Sequence, residues 1–307
     1  MAFTNPSDTL YYIVRETVEG TTPTTPAFKG LDTIPGSTDF SADSKALSSE
    51  VLKANRSSGQ LAKTNFSSKG SLKTDFRRDT SMDLLIESGI GGAFTANVAK
   101  AGGTDYTHTI EAKYVVGGTP GIVRYPGMTV SKFGLSVDAE SKAQVSLDLI
   151  GMAPTSNATA IAGSTYTAPT QGPLIVGDDV NTITIGSLTA VFTSLDLSVE
   201  HKRAARFGLG SINSLGTGTE GMRDVKLTVK MYRSDWTPET IFNNDTPVSC
   251  AFTLGNGTGN AYTFTLPAIQ SATLAKNENS GSNVLVTVDL VGSYDNTLGT
   301  DLQVTKS

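Results

Sequence analysis

Apolar and polar residues alternate with a period of two along much of this chain. In VLVTVDLVG, Val284, Val286, Val288 and Leu290 stand on one face and Leu285, Thr287, Asp289 and Val291 on the other. β-Branched residues at that period predict a strand. AQVSLDLIG places Val145, Leu147 and Leu149 opposite Gln144, Ser146 and Asp148, and DVKLTVKMY turns Val225, Leu227, Val229 and Met231 inward. FGLSVDAESKAQVSLDL and ATLAKNENSGSNVLVTVDL each read as strand, polar turn, strand. Helix signals are confined to two short places. Thr237 is expected to cap one helix, with Pro238 first and Glu239 at the positive end of the dipole. Ser81, Met82 and Asp83 hold the corresponding places earlier, and Leu85 and Ile86, like Ile241 and Phe242, are expected to pack on a sheet.

Several blocks recur in order. LSSEVLKANR (47–56) is echoed by LSVEHKRAAR (197–206), and RRDTSMDLLI (77–86) by RSDWTPETIF (233–242). YTHTIEA (106–112) is echoed by YTFTLPA (262–268), and VSLDLIG (145–151) by VTVDLVG (286–292). The offsets are 150, 156, 156 and 141. Four collinear matches predict an internal duplication at a period too long for a solenoid. The expectation is a mainly β chain of two tandem β-sandwich or half-barrel domains, 1–155 and 174–307, each with one short helix. The linker is placed at 156–173, where Pro, Thr, Ala and Ser crowd.

Composition narrows the class. The chain has 307 residues, 38% hydrophobic, with 31 glycines, which suits short strands joined by polar turns. A single cysteine, Cys250, rules out an intramolecular disulfide framework. No apolar run reaches bilayer-spanning length, and the N-terminus lacks the signal-peptide pattern. The reading is a soluble, intracellularly made protein without a membrane partner.

Candidate chemistry is sparse. His108 aligns with Phe264 and His201 falls near Leu52, so both read as packing residues. Two histidines and one cysteine cannot close a zinc site without carboxylates, and no metal or cofactor is expected. H-E-x-x-H, G-x-S-x-G and P-loop patterns are missing. Gly208–Gly221 lacks the Lys-Ser/Thr ending of a phosphate loop and reads as a mobile connection. Cys250, in an apolar run, reads as a small buried hydrophobe. Trp236 is either a stacking platform or a staple for the helix start, and the staple is the stronger reading. An enzyme is therefore not expected.

Charge is segregated. Residues 50–78 carry seven Lys/Arg against two acids, and residues 200–230 carry six against three, in a chain of net charge −5. A nucleic-acid surface would interleave aromatics, which are few here. A solvated face is the bland account. A basic end on an acidic body also complements itself when copies stack head to tail. Lys53, Arg56, Lys63, Lys69, Lys202, Arg203, Arg206 and Arg223 are the candidates for that contact.

YYIVRETVEGTTPTTPAFKGL (11–31), LSSEVLKANRSSGQ, GSLKTDFRRDTSMDLLIESGIGG, GNAYTFTLPAIQ and VTVDLVG together resemble the tail tube proteins of long-tailed, non-contractile (siphovirus-type) bacteriophages. The resemblance implies β-sheets that join between subunits into a continuous barrel, rings that stack through an early loop, and a lumen through which DNA passes during ejection without specific binding. It implies a virion location, assembled in the host cytoplasm, and as partners the chain itself, a tape measure protein, a tail terminator and a distal tail protein. Relatives with one domain per chain are expected to close six to a ring, so two domains per chain imply a trimeric, pseudo-hexameric ring. The alternative is a tandem β-sandwich surface or adhesin-type binding protein, which would show exposed aromatics on a loop cluster.

Overall fold

The computed structural model describes residues 9–51, 57, 59–116, 119–244, 246–255, 257, 259–277 and 283–307. The first half contains β1 (Leu10–Arg15), β2 (Ala27–Leu31), β3 (Asp39–Ser48), β4 (Leu61–Asp75), α1 (Thr80–Ile90), β5 (Val98–Lys100), β6 (His108–Val116), β7 (Thr119–Asp138) and β8 (Gln144–Met152). Two short strands follow, β9 (Thr155–Ala158) and β10 (Thr165–Thr167). The second half contains β11 (Val180–Ile185), β12 (Phe192–Glu200), β13 (Arg203–Arg206), β14 (Gly216–Thr219), β15 (Asp224–Tyr232), α2 (Thr237–Asn243), β16 (Val248–Gly255), β17 (Ala261–Asn277), β18 (Leu285–Gly292) and β19 (Gln303–Lys306). The fold is mainly β, as the alternation predicts.

Eight strands lie side by side in the order β3-β4-β8-β7-β12-β15-β18-β17, every neighbour antiparallel. Alternation gives this sheet one apolar face. Leu72, Leu135, Leu147, Leu197, Leu227, Val229 and Leu290 on that face are at most 1% exposed. Full burial of such a side chain contributes roughly 1.5–3 kcal/mol. The long strands β7 and β17 then bend into a second layer. β7 pairs with β6 up to Met128 and with β8 from Thr129 onward, and β17 passes from β16 to β18 at Ile269. β6 carries β1, and β16 carries β11. The result is a curled half-barrel whose apolar interior, one continuous cluster, runs through both halves.

The helices pack at the mouth of that interior. α1 starts where the Asp79 carboxylate accepts the Thr80 N–H at 2.6 Å, and it stops at Gly91, whose φ of 68° is the left-handed conformation glycine supplies at low cost. Leu85 and Ile86 are buried as expected. The cap assignments shift by a residue or two. Thr237 is the first residue of α2, and the carboxylate of Asp235 accepts its N–H at 2.8 Å. Trp236 does not staple the helix. It is 70% exposed, with the Arg233 guanidinium 4.3 Å from its ring centre. A tryptophan flanked by cations is stabilised at a wet surface and need not be buried.

The two halves share a connectivity. β3-β4-β8-β7 and β12-β15-β18-β17 run in the same order, each with its helix between the second strand and the outer hairpin. Irregularities fall at matching places. The β7–β8 ladder shifts between Val130 and Lys132, and the β17–β18 ladder between Ser271 and Thr273, 141 residues later. The β6–β7 ladder shifts between His108 and Ile110, and β16–β17 between Val248 and Cys250. A bulge at a fixed register is a specific feature of a sheet. These registers set β7 beside β17 and His108 beside Val248. The sequence match of Tyr106–Ala112 to Tyr262–Ala268, and with it His108 to Phe264, joins a first hairpin strand to a second one and is not carried by the topology. The segment 156–173 holds β10 and most of β9, which pair with β2 and β7 of the first half.

Candidate functional site

Two surfaces stand out: the basic connections between the first two strands of each four-strand set, and the exposed face of the eight-strand sheet. In the first half, β4 is 15 residues long, but β8 pairs only with Ser67–Asp75. Residues 61–64 and 45–48 therefore extend past β8 as a two-stranded arm. Lys63 is exposed on this arm, beside the exposed apolar Leu47, Val51 and Leu61. Lys69 lies lower, 2.6 Å from Asp43, and both are solvated. Lys53 and Arg56 fall outside the described residues.

The corresponding connection in the second half is folded against the first half, which amends the reading of Gly208–Gly221 as a mobile connection. β13 and β14 form a small hairpin. Phe66 N–H donates to Ile212 O at 2.9 Å, and Ser214 N–H donates to Phe66 O at 2.8 Å. The Glu19 carboxylate accepts from Thr217 N–H and Oγ1 at 2.5 and 2.8 Å. Backbone groups that find partners no longer need water, so the segment is held in place.

The eight basic candidates divide accordingly. Arg203 is an internal pin, its side chain 1% exposed and 2.9 Å from Asp105. It donates to Ser88 O at 3.2 Å, to Thr129 Oγ1 at 2.6 Å, and to Val130 O. Burial lowers its pKa, and Asp105 opposes that shift. Arg223 donates to Gly102 O at 2.7 Å and to Ile90 O at 3.4 Å, and pairs with Asp301. Lys202, 3.6 Å from Asp224, and Arg206 remain exposed with Lys63 and Lys69. Net positive charge in the sequence thus conceals two arginines spent on carbonyls far away in the chain.

Burial holds both histidines and the one cysteine neutral. Burial, then the charge of Arg15, lowers the His108 pKa to about 3. Burial, then Arg203, lowers that of His201 to about 4, with its Nε2 2.9 Å from Gly89 O. Burial raises the Cys250 thiol to about 12, so it stays protonated. Among the described residues no group of three or more His, Cys, Asp and Glu is placed to hold a metal, and no helix is long and apolar enough to cross a membrane.

The face of the eight-strand sheet away from the helices is polar. Cross-strand partners share a face, so the pairings place Asp39, Asp43, Asp75, Asp138, Asp148, Asp196, Glu200, Asp224 and Asp289 there. Lys69, Lys73, Lys132, Lys226 and Lys230 are the lysines interspersed with them. Carboxylates outnumber ammonium groups. Asp289 is held below the usual carboxylate range by hydrogen bonds from the Thr273 and Thr228 hydroxyls. Burial, then the charge of Asp138, raises Asp196. Such a broad, polar, net acidic sheet face can line an aqueous conduit for a polyanion without retaining it.

A search among curated proteins finds no match to this sequence. The profile of the phage tail tube protein family matches residues 6–293, nearly the whole chain. With an extended β-sheet, a polar acidic face and a projecting arm already in view, the chain belongs to the phage tail tube proteins: it is a structural component of the virion tail.

Proposed function

We propose that this chain is an internal duplicate, that three copies close each ring of a non-contractile tail tube, and that the polar sheet face lines the lumen. One observation carries the reading. The four-strand set of the first half joins that of the second through the β7–β12 ladder, with seven residue pairs from Ser194↔Asp138 to Glu200↔Lys132. The chain thus holds one subunit-like junction inside itself. Repeating that junction between chains is the simplest way to close a ring, and closure leaves no unpaired edge. Three chains supply twenty-four strands. At a spacing of about 4.8 Å and a tilt of about 40°, they put the backbone roughly 24 Å from the axis. Inward side chains reduce the clear bore to roughly 35–40 Å, wide enough for duplex DNA.

In this arrangement the arm of β3 and β4, with Lys63, reaches the adjacent ring, together with Lys202 and Arg206. Lys69, paired with Asp43 on the sheet face, is less exposed to that contact, and Arg203 and Arg223 act within the chain. Tape measure, terminator and distal tail proteins are the further partners of such a tube. Native mass spectrometry of released rings, beside negative-stain images of the assembled protein, tests the stoichiometry. Rings of three 32.1-kDa chains are expected, and rings of six would overturn it.

A further inference from the structure

We infer that the seam closing each ring is a β-ladder between β17 of one chain and β3 of a second copy, with Ser41 opposite Ala275. This inference rests on the ring reading above and gives it a register. The template is the junction inside the chain. β7 presents Lys132–Asp138 to β12 on the side away from β8. β17 has the same bulge against β18, yet among the described residues Thr273–Asn277 have no strand on their other side. β3 pairs only with β4 among the described residues, whereas its counterpart β12 has β15 on one side and β7 on the other.

Registers transfer directly. β17 follows β7 by 141 residues, since Thr273 faces Asp289 as Lys132 faces Asp148. β12 follows β3 by 157, since the Ser71–Asp148 pair is matched by Thr228–Asp289, and Ser71 faces Asp39 as Thr228 faces Asp196. The Ser198↔Gly134 pair inside the chain therefore becomes Ser41 against Ala275 across the seam. One step on, Ala42 meets Leu274 on the apolar side. Both surfaces are suited to this: Ser41 and Ala275 are exposed small residues, and Leu274 is only half-buried against the core.

The helices point the same way. α1 is covered by the second half of its own chain: His201 and Arg203 reach its last turn, and Tyr262 Oη donates to Asp83 at 2.7 Å at its first. Among the described residues α2 has no such cover from the other half. Trp236 is 70% exposed and Phe242 is 43% exposed. Carrying the Tyr262 contacts with Asp79 and Asp83 over by the same offsets puts Gly121 of the second copy against Asp235 and Glu239, on either side of Trp236. Among the described residues a Cβ at Gly121 would meet nothing closer than 3.8 Å, so the position leaves room for a partner side chain.

Two measurements test this. Ser41→Cys with Ala275→Cys is assembled and treated with dibromobimane, beside the control Asp39→Cys with Thr273→Cys. The control keeps both edges and the same face but is four residues out of register, roughly 13 Å apart. Within one chain β3 and β17 lie seven strand spacings apart, roughly 34 Å along the sheet, so a cross-link reports a second copy. The expected result is an inter-chain ladder ending at three chains for the first pair and at least tenfold less product for the control. Tubes with equal cross-linking in both pairs would overturn the register and leave the tube reading standing; wild-type protein that forms no rings or tubes would sink both. The second measurement uses the unaltered chain. Trp236 is its single tryptophan, so emission should shift to the blue and acrylamide quenching should fall several-fold on assembly. An unchanged spectrum in fully formed tubes would refute the seam.

Discussion

Replacing Arg203 by Met tests the finding that a basic cluster in the sequence is partly an internal pin. The substitution keeps most of the aliphatic stem and removes the guanidinium. Lost with it are the bonds to Ser88 O, Thr129 Oγ1 and Val130 O and the ion pair with Asp105. Hydrogen bonds to a charged group contribute about 1.5–3 kcal/mol each, but the buried guanidinium also costs desolvation, which its removal returns. The Asp105 side chain is 35% exposed, so water screens that pair and its share is about 1 kcal/mol or less. The balance is a loss of about 3 kcal/mol, mostly from carbonyls left without a donor. Because β13 and β14 pair chiefly with each other, the loss should appear as local opening. Amide exchange within Arg203–Arg206 and Gly216–Thr219 should accelerate roughly a hundredfold in Arg203→Met, the equivalent of about 3 kcal/mol. A double-mutant cycle with Asp105→Asn should give a coupling of about 1 kcal/mol or less. Exchange within threefold of wild type would refute the pin, and dominant coupling to Asp105 would refute the assignment of the loss to the carbonyls.

Stability should fall with acidification. His108 and His201 have pKa values of about 3 and about 4 in the folded chain, below the unfolded value of 6.5. Their contribution is therefore complete above pH 6.5 and is lost as pH falls toward 4, at up to about 1.4 kcal/mol per pH unit for each; His201→Asn should flatten the slope of a denaturation series between pH 4 and 6.5. Cys250, fully buried, should resist thiol reagents in native protein and react on denaturation, as timed labelling will show. Lys63→Glu with Arg206→Glu should raise the concentration needed for polymerisation, each exposed pair contributing only about 0.2–1 kcal/mol but repeating at every ring; light scattering should show the defect shrinking in high salt. Gly70→Val should destabilise the first half, because a Cβ there would sit 2.4 Å from the Phe40 ring, with a cost of about 1–3 kcal/mol by urea denaturation.

The strands were legible because their physics is local. Val145, Leu147 and Leu149, or Val225, Leu227 and Val229, announce a buried face through period two alone, and each proves buried. The helices were legible in place but not in detail: the carboxylates of Asp79 and Asp235 take the capping bonds that hydroxyls were expected to make or receive. Four collinear blocks were visible in the sequence, yet one of them matched a strand to one that holds a different place in the ladders. Similar letters at Tyr106 and Tyr262 outweighed the pairing register, which links Tyr125-Pro126 to Leu266-Pro267 and exists only in three dimensions. The basic residues show the sharpest limit. Nothing near Arg203 or Arg223 in sequence distinguishes them from Lys202 or Arg206, because their partners at Ser88, Gly102 and Ile90 lie more than a hundred residues away.

A cryo-EM cross-section of the assembled tube tests the central claim most directly. The account predicts three chains per ring, both halves of each on the lumen, β17 against β3 of the next chain, and the face with Asp148 and Asp289 turned inward. Six chains per ring with one half displaced to the outside would contradict it.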